Sequence, residues 1–191
     1  MSESKFNPRS IILLMIIIFV SIIRIAAPLS GDFKEIANFS AVGAIALFGG
    51  AYFNNNVKAF AFPMWVLVLS DIFIAKISRY GFFYAGWYWT YIAIIAMVAV
   101  GKLMMKKVNV GTFVASSFIG VFLHWILSDI GPMYAPSIYP ATLAGYGQCL
   151  INAIPFELNF LYGTVAYGAV MFGAFEALKA KYPMLSLAKA A

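Results

Sequence analysis

IILLMIIIFVSII, residues 11–23, and TYIAIIAMVAV, residues 90–100, decide the fold, because neither run alternates in polarity. A transmembrane β-barrel is built from segments of about ten residues that do alternate, so the backbone of these runs must close its hydrogen bonds within helices. The rest of the chain fits this reading. Of its 191 residues 63% are hydrophobic and 10% charged, with a mean hydropathy of +0.90, whereas a soluble domain carries roughly a quarter charged residues. The composition is that of an all-α integral membrane protein. A helix needs about 20 residues for each crossing, so 191 residues allow six crossings with short loops and leave no room for a soluble catalytic domain.

Working outward from the two runs, the expected spans are 11–27, 38–53, 59–75, 82–103, 110–130 and 156–178, forming a six-transmembrane-helix bundle in one membrane domain over residues 1–191. The first span resembles a secretory signal, but Arg24 occupies the place of a small-residue cleavage site, so an uncleaved helix is expected. Pro63 lies near the expected start of the third span, where a missing donor costs least. Pro132, Pro136 and Pro140 exclude a continuous helix after the fifth span, and Pro155 divides a short leading helix, 143–153, from the sixth span. With six spans both termini share a side. That side carries nine basic residues, Lys5, Arg9, Lys58, Lys102, Lys106, Lys107, Lys179, Lys181 and Lys189, against Arg24, Lys34, Lys76 and Arg79 on the other. The positive-inside rule then makes both termini cytoplasmic.

This orientation sends the costly polar groups to the outer half: Arg24, Asn38, Asp71, Trp87, Trp89, His124, Asp129, Glu157 and Asn159. An Asp or Arg near the centre of a membrane helix costs about 2.5–3.5 kcal/mol on insertion scales, so such residues normally face a partner or a wet cavity. The pattern predicts a cup open to the outside, closed below by an almost purely apolar inner half. Asp71 and Asp129, each within an LSDI string, read as polar or charge contacts to a ligand, or as partners of Arg24 or Arg79. Trp87 and Trp89 are an interfacial belt or a stacking wall. His124, Asn38 and Asn159 are hydrogen-bonding groups, and Arg24 with Glu157 could close a structural ion pair.

Several chemistries lack their residues. The lone Cys149 excludes an intramolecular disulfide and a CxxC metal or redox site, and one histidine cannot build a zinc site unless carboxylates complete it. His124 and Ser128 share a helix face, but no orienting group or oxyanion-hole motif accompanies them. No GxxxxGK phosphate loop is present. The basic residues are scattered and form no nucleic-acid-binding patch. No catalytic residue, cofactor or metal is expected.

NFSAVGAIALFGGAYF, residues 38–53, and YPATLAGYGQCLINAIPFELNFLYG, residues 139–163, resemble a family of small, uncharacterised bacterial inner-membrane proteins, in order through most of the chain, with Ala41 where many members have proline. More remotely the layout is similar to the S components of energy-coupling factor (ECF) transporters. That resemblance implies a substrate-binding subunit of the bacterial inner membrane that captures a vitamin-like small-molecule ligand in an outward-facing pocket. A transmembrane coupling subunit and paired ATPases would be its partners. S components usually dock through AxxxA on the first helix, whereas here that helix is bulky; Ala46 and Gly50 on the second offer a replacement docking face. The alternative is a structural or accessory subunit of a larger membrane complex.

Overall fold

The structure is a computed structural model describing residues 8–26, 39–78, 85–134 and 138–186, apart from the side chains of 23–26, 74, 77 and 78. Among the described residues there are six α-helices: α1 (Pro8–Ala26), α2 (Val42–Tyr52), α3 (Asn56–Ser78), α4 (Tyr88–Met104), α5 (Val110–Ser128) and α6 (Leu143–Lys181). Short 3₁₀ turns follow α5, at Gly131–Tyr134, and α6, at Pro183–Leu185. Among the described residues there is no strand. Of the described helices three, α3, α5 and α6, are long and apolar enough to cross a membrane.

The centre of the bundle is α2. It is apolar all round, and ten of its eleven residues are buried, as expected of a helix with protein on every side. Its glycines permit the close approaches, one neighbour each. A Cβ on Gly43 would strike Thr164 and Phe160 of α6, one on Gly49 would meet the Pro63 ring of α3, and one on Gly50 would collide with the Val98 carbonyl of α4. From the α4 side, Gly101 meets the Leu47 backbone in the same way. Eleven residues make a helix of about 17 Å, so α2 is too short to span a hydrocarbon core of about 30 Å alone. The docking face expected from Ala46 and Gly50 does not exist, because both residues are spent on internal packing. Helix α1 lies at the periphery. Leu13, Ile17 and Val20 turn inward along one stripe, while Met15 and Phe19 are over 60% exposed.

Several expected boundaries move; α1 starts three residues early and α2 four residues late. Helix α3 starts three residues early because the Asn55 side chain accepts the Lys58 N–H at 3.1 Å and its carbonyl accepts from Ala59, an N-cap that satisfies otherwise orphaned donors. Pro63 is thereby inside the helix, fitted against Gly49. At the other end of the chain, α6 is a single helix of 39 residues that runs through Pro155 instead of dividing there. Proline removes one helical bond and crowds the preceding turn. Here α5 grips α6 on both sides of that point, as described below. Helix α4 starts at Tyr88, after a turn over residues 85–87 in which Gly86 has φ +76°, and residues 82–84 of its expected span lie outside the described residues. Gly86 sits so close to Gly131 that neither position has room for a side chain. Of the other glycines, Gly163 packs on Ser40, whereas Gly173 has no described neighbour.

These contacts make a direct forecast for thermal unfolding in detergent. Gly50→Ala should destabilise by about 1–3 kcal/mol, the cost of overpacking a rigid contact. Gly173→Ala should be neutral or raise the midpoint slightly, since Ala is favoured over Gly in a helix by roughly 0.5–1 kcal/mol.

Candidate functional site

The last turn of α5 leaves carbonyls without intrahelical partners, and α6 supplies them. The Tyr146 hydroxyl donates to the Ile126 carbonyl at 2.6 Å, and the Cys149 thiol lies 3.7 Å from the Asp129 carbonyl. In the reverse direction Trp125 Nε1 donates to the Leu150 carbonyl at 3.1 Å. One further link lies beyond Pro155, where His124 Nδ1 stands 3.1 and 3.2 Å from the two Glu157 oxygens. The start of α6 is fixed by Thr142, whose hydroxyl accepts the Gly145 N–H at 3.1 Å. A Cβ at Gly145 would collide with the Pro140 carbonyl, so the proline-rich segment folds tightly over the helix.

These links frame a cavity of about 350 Å³, within the range of small-ligand sites. It lies where the C-terminal end of α5 meets the N-terminal ends of α2 and α4 and the middle of α6. Its polar wall is Ser40, Thr90, His124, Ser128, Asp129 and Glu157. On the apolar side, the Phe160 ring lies against His124 with centroids 4.4 Å apart. His124 and Glu157 are nearly enclosed, with side chains 13% and 12% exposed. Asp129 Oδ2 is buried with no hydrogen-bond partner among the described residues. The described lining thus holds two carboxylates and one imidazole, with no Lys or Arg. Such a wall accepts hydrogen bonds and favours positive charge. Among the described residues no group of three or more His, Cys, Asp or Glu is arranged to hold a metal ion.

Of the residues singled out from the sequence, His124 and Asp129 line this cavity. Glu157 does too, paired with His124, while the side chain of its expected partner Arg24 lies outside the described residues, as does Asn38. Asp71, Trp87, Trp89 and Asn159 are not in the lining. Asp71 accepts from the Tyr91 hydroxyl at 3.1 Å, and Trp87 stands edge-on to the same tyrosine at 5.2 Å. Trp89 packs against Tyr88 at 5.9 Å. Ser40 and Thr90 were not anticipated; one precedes α2 and the other is in the first turn of α4, and only the packing of those ends brings them together.

The opposite end of the bundle is not purely apolar. Arg9 is only 8% exposed, and its guanidinium donates to the Leu185 carbonyl and, at 3.0 Å, to the Tyr52 carbonyl. It lies 5.2 Å from the Phe175 ring centroid. Tyr52 in turn donates to Glu176 at 2.6 Å, and Glu176 also accepts from Lys179.

The family of unknown function DUF6580 matches residues 4–185. The chain belongs to that family. No curated protein and no solved structure matches the chain. The family assigns no chemistry, so the functional reading rests on the cavity.

Because His124 and Glu157 satisfy each other away from water, the loss of either should cost more than its share. In a double-mutant cycle of His124→Ala and Glu157→Ala, read by thermal unfolding in detergent, a coupling of about 1–3 kcal/mol is expected. Additive losses would mean that the pair does not hold α5 to α6.

Proposed function

We propose that this protein is a membrane-embedded binding subunit that captures a small solute in the cavity between α2, α4, α5 and α6 and passes it to partner subunits for uptake. The observation that carries the reading is the enclosed wall of His124, Asp129 and Glu157, with Asp129 Oδ2 left without a protein partner among the described residues. A carboxylate oxygen kept away from water without a donor is costly, and a bound ligand would supply the donor. A purely structural polar cluster would be expected to satisfy its own members.

In this proposal the six helices cross the bacterial inner membrane with both termini in the cytoplasm. The distribution of charge supports that orientation. Lys102 bonds the Phe53 carbonyl at the end away from the cavity, where Arg9 and Lys179 also lie, so the positive-inside rule turns the cavity outward. Helix α2, too short to span by itself, would cross inside the protein, where a broken or shortened path is tolerated because no lipid touches it. At 39 residues, or about 58 Å, α6 exceeds the membrane thickness and would tilt or project beyond it. The S-component likeness of the layout supports a transmembrane coupling subunit and ATPases as partners. The bulky exposed face of α1, including Met15 and Phe19, would then meet lipid or those partners.

Native mass spectrometry of protein extracted gently from its own membranes tests the role. A small mass excess on the monomer, lost on activation and absent in Asp129→Asn, is the expected result. Stoichiometric association with larger integral chains that are not a transport ATPase, without any small ligand, would make the protein an accessory subunit instead. The topology has its own test in a Cys149→Ala background. A cysteine at Lys107→Cys should react with impermeant thiol reagent only after the cells are opened, and one at Tyr139→Cys should react in intact spheroplasts.

A further inference from the structure

The cavity between α2, α4, α5 and α6 carries an uncompensated charge as well as an unfilled volume. Its described lining holds two carboxylates, Asp129 and Glu157, and no Lys or Arg. His124 lies 3.1 Å from Glu157. Even a protonated imidazole would neutralise only that carboxylate, which leaves Asp129 without a counter-charge in the described lining. Asp129 Oδ2 is also closed off from solvent, with no hydrogen-bond partner among the described residues. Protonation at that oxygen would only exchange an acceptor without a donor for a donor without an acceptor.

The rest of the cavity sets the size and character of what could answer that demand. Among the described residues no group of three or more His, Cys, Asp or Glu is arranged to hold a metal ion, and a bare ion would occupy a small part of about 350 Å³. Val42, Leu67, Ile94 and Phe160 contribute hydrocarbon to the wall, and each is at most 5% exposed. Water filling the space would lie against those side chains, whereas an apolar skeleton would cover them. We infer that the ligand is a compact organic cation bearing at least one N–H, in the simplest case an alkyl- or arylalkylammonium, which donates to Asp129 while its skeleton lies on the apolar wall. The charge meets the uncompensated carboxylate and the N–H meets the oxygen that lacks a donor. Hydrogen bonds of this charged kind are about twice as strong as neutral ones, and a quaternary ammonium, with no N–H, could not form one. Glu157 stays with His124. This class of ligand presupposes the binding role proposed above.

Matched compounds separate the charge from the donor. The full chain in detergent would be titrated with phenethylamine, with phenethyl alcohol, which keeps a donor without the charge, and with phenethyltrimethylammonium, which keeps the charge without the donor. Cyclohexylmethylamine and its two analogues give the same comparison on a second skeleton. Binding is read as a saturable rise in the thermal unfolding midpoint. At least one amine is expected to reach half-saturation at a concentration about tenfold or more below both of its analogues. Asp129→Asn should raise that half-point by about tenfold or more, level with the alcohol. Ala153→Leu, which narrows the cavity without removing a charge, should weaken binding as well. If Asp129→Asn does not fold, the comparison on the unaltered chain decides alone. An analogue that binds as well as its amine, or an amine half-point indifferent to Asp129→Asn, would overturn the assignment. If neither amine binds saturably, the molecule carried by the gently extracted protein decides. A cation bearing an N–H upholds the class, any other molecule overturns the class and leaves the binding role standing, and none overturns both.

Discussion

Everything in this fold is arranged around a helix that has no free side. Burying α2 completely requires three other helices to approach its backbone, and side chains of ordinary size would hold them too far away. Gly43, Gly49 and Gly50 each remove the obstacle towards a different neighbour, and Gly101 removes it from the opposite direction. In lipid, where apolar side chains gain little by leaving one apolar medium for another, such backbone proximity is a main source of attraction between helices. The ends of α2 are consequently fixed in depth. Its start sets the position of Ser40 and Val42 against the cavity, and its last residue, Tyr52, offers the carbonyl that Arg9 binds.

The contact between α5 and α6 is held differently. It uses few small residues and many polar links, running from Tyr146 and Cys149 through Trp125 to the His124–Glu157 pair. Those links bracket Pro155, the position where α6 is weakest, and account for its remaining one helix. They also create the cavity. The side chains that tie the two helices together leave Asp129 and Glu157 lining a space that no described residue fills. Rigid contacts at the centre and a polar seam at the side give the bundle one half held by backbone proximity and one held by hydrogen-bonding side chains.

The presence of helices and their approximate positions were legible because apolar runs in a membrane protein leave few alternatives, whereas their number was not, since the helix expected at 143–153 and the sixth span are one. Boundaries were less so. Asn55 caps α3 through its side chain, a local signal that the hydropathy of residues 59–75 overshadowed, and Pro155 was weighed by its intrinsic cost without the neighbouring links that offset it. Among the site residues, His124 and Asp129 stood out because ionisable groups in apolar helices are expensive. That same argument selected Asp71, which meets Tyr91 instead of the cavity, because cost alone cannot say which way a side chain turns. No spacing connects His124 to Glu157, 33 residues apart on separate helices. The small residues of α2 were read as an external docking face, because a run of small residues serves outward docking and internal burial equally well. Only the arrangement of three neighbours decides it.

Arg9 and its acceptors lie far apart in sequence, with 43 residues to Tyr52 and 176 to Leu185. During synthesis the guanidinium meets its first carbonyl early, when α2 is in place, and its second only after α6 has been inserted. Until then it faces the protein interior with donors unpaired, a state that favours remaining at the membrane surface in contact with water. The seating of α1 is therefore coupled to the turn that follows the last helix, so the two ends of the described chain close the bundle together.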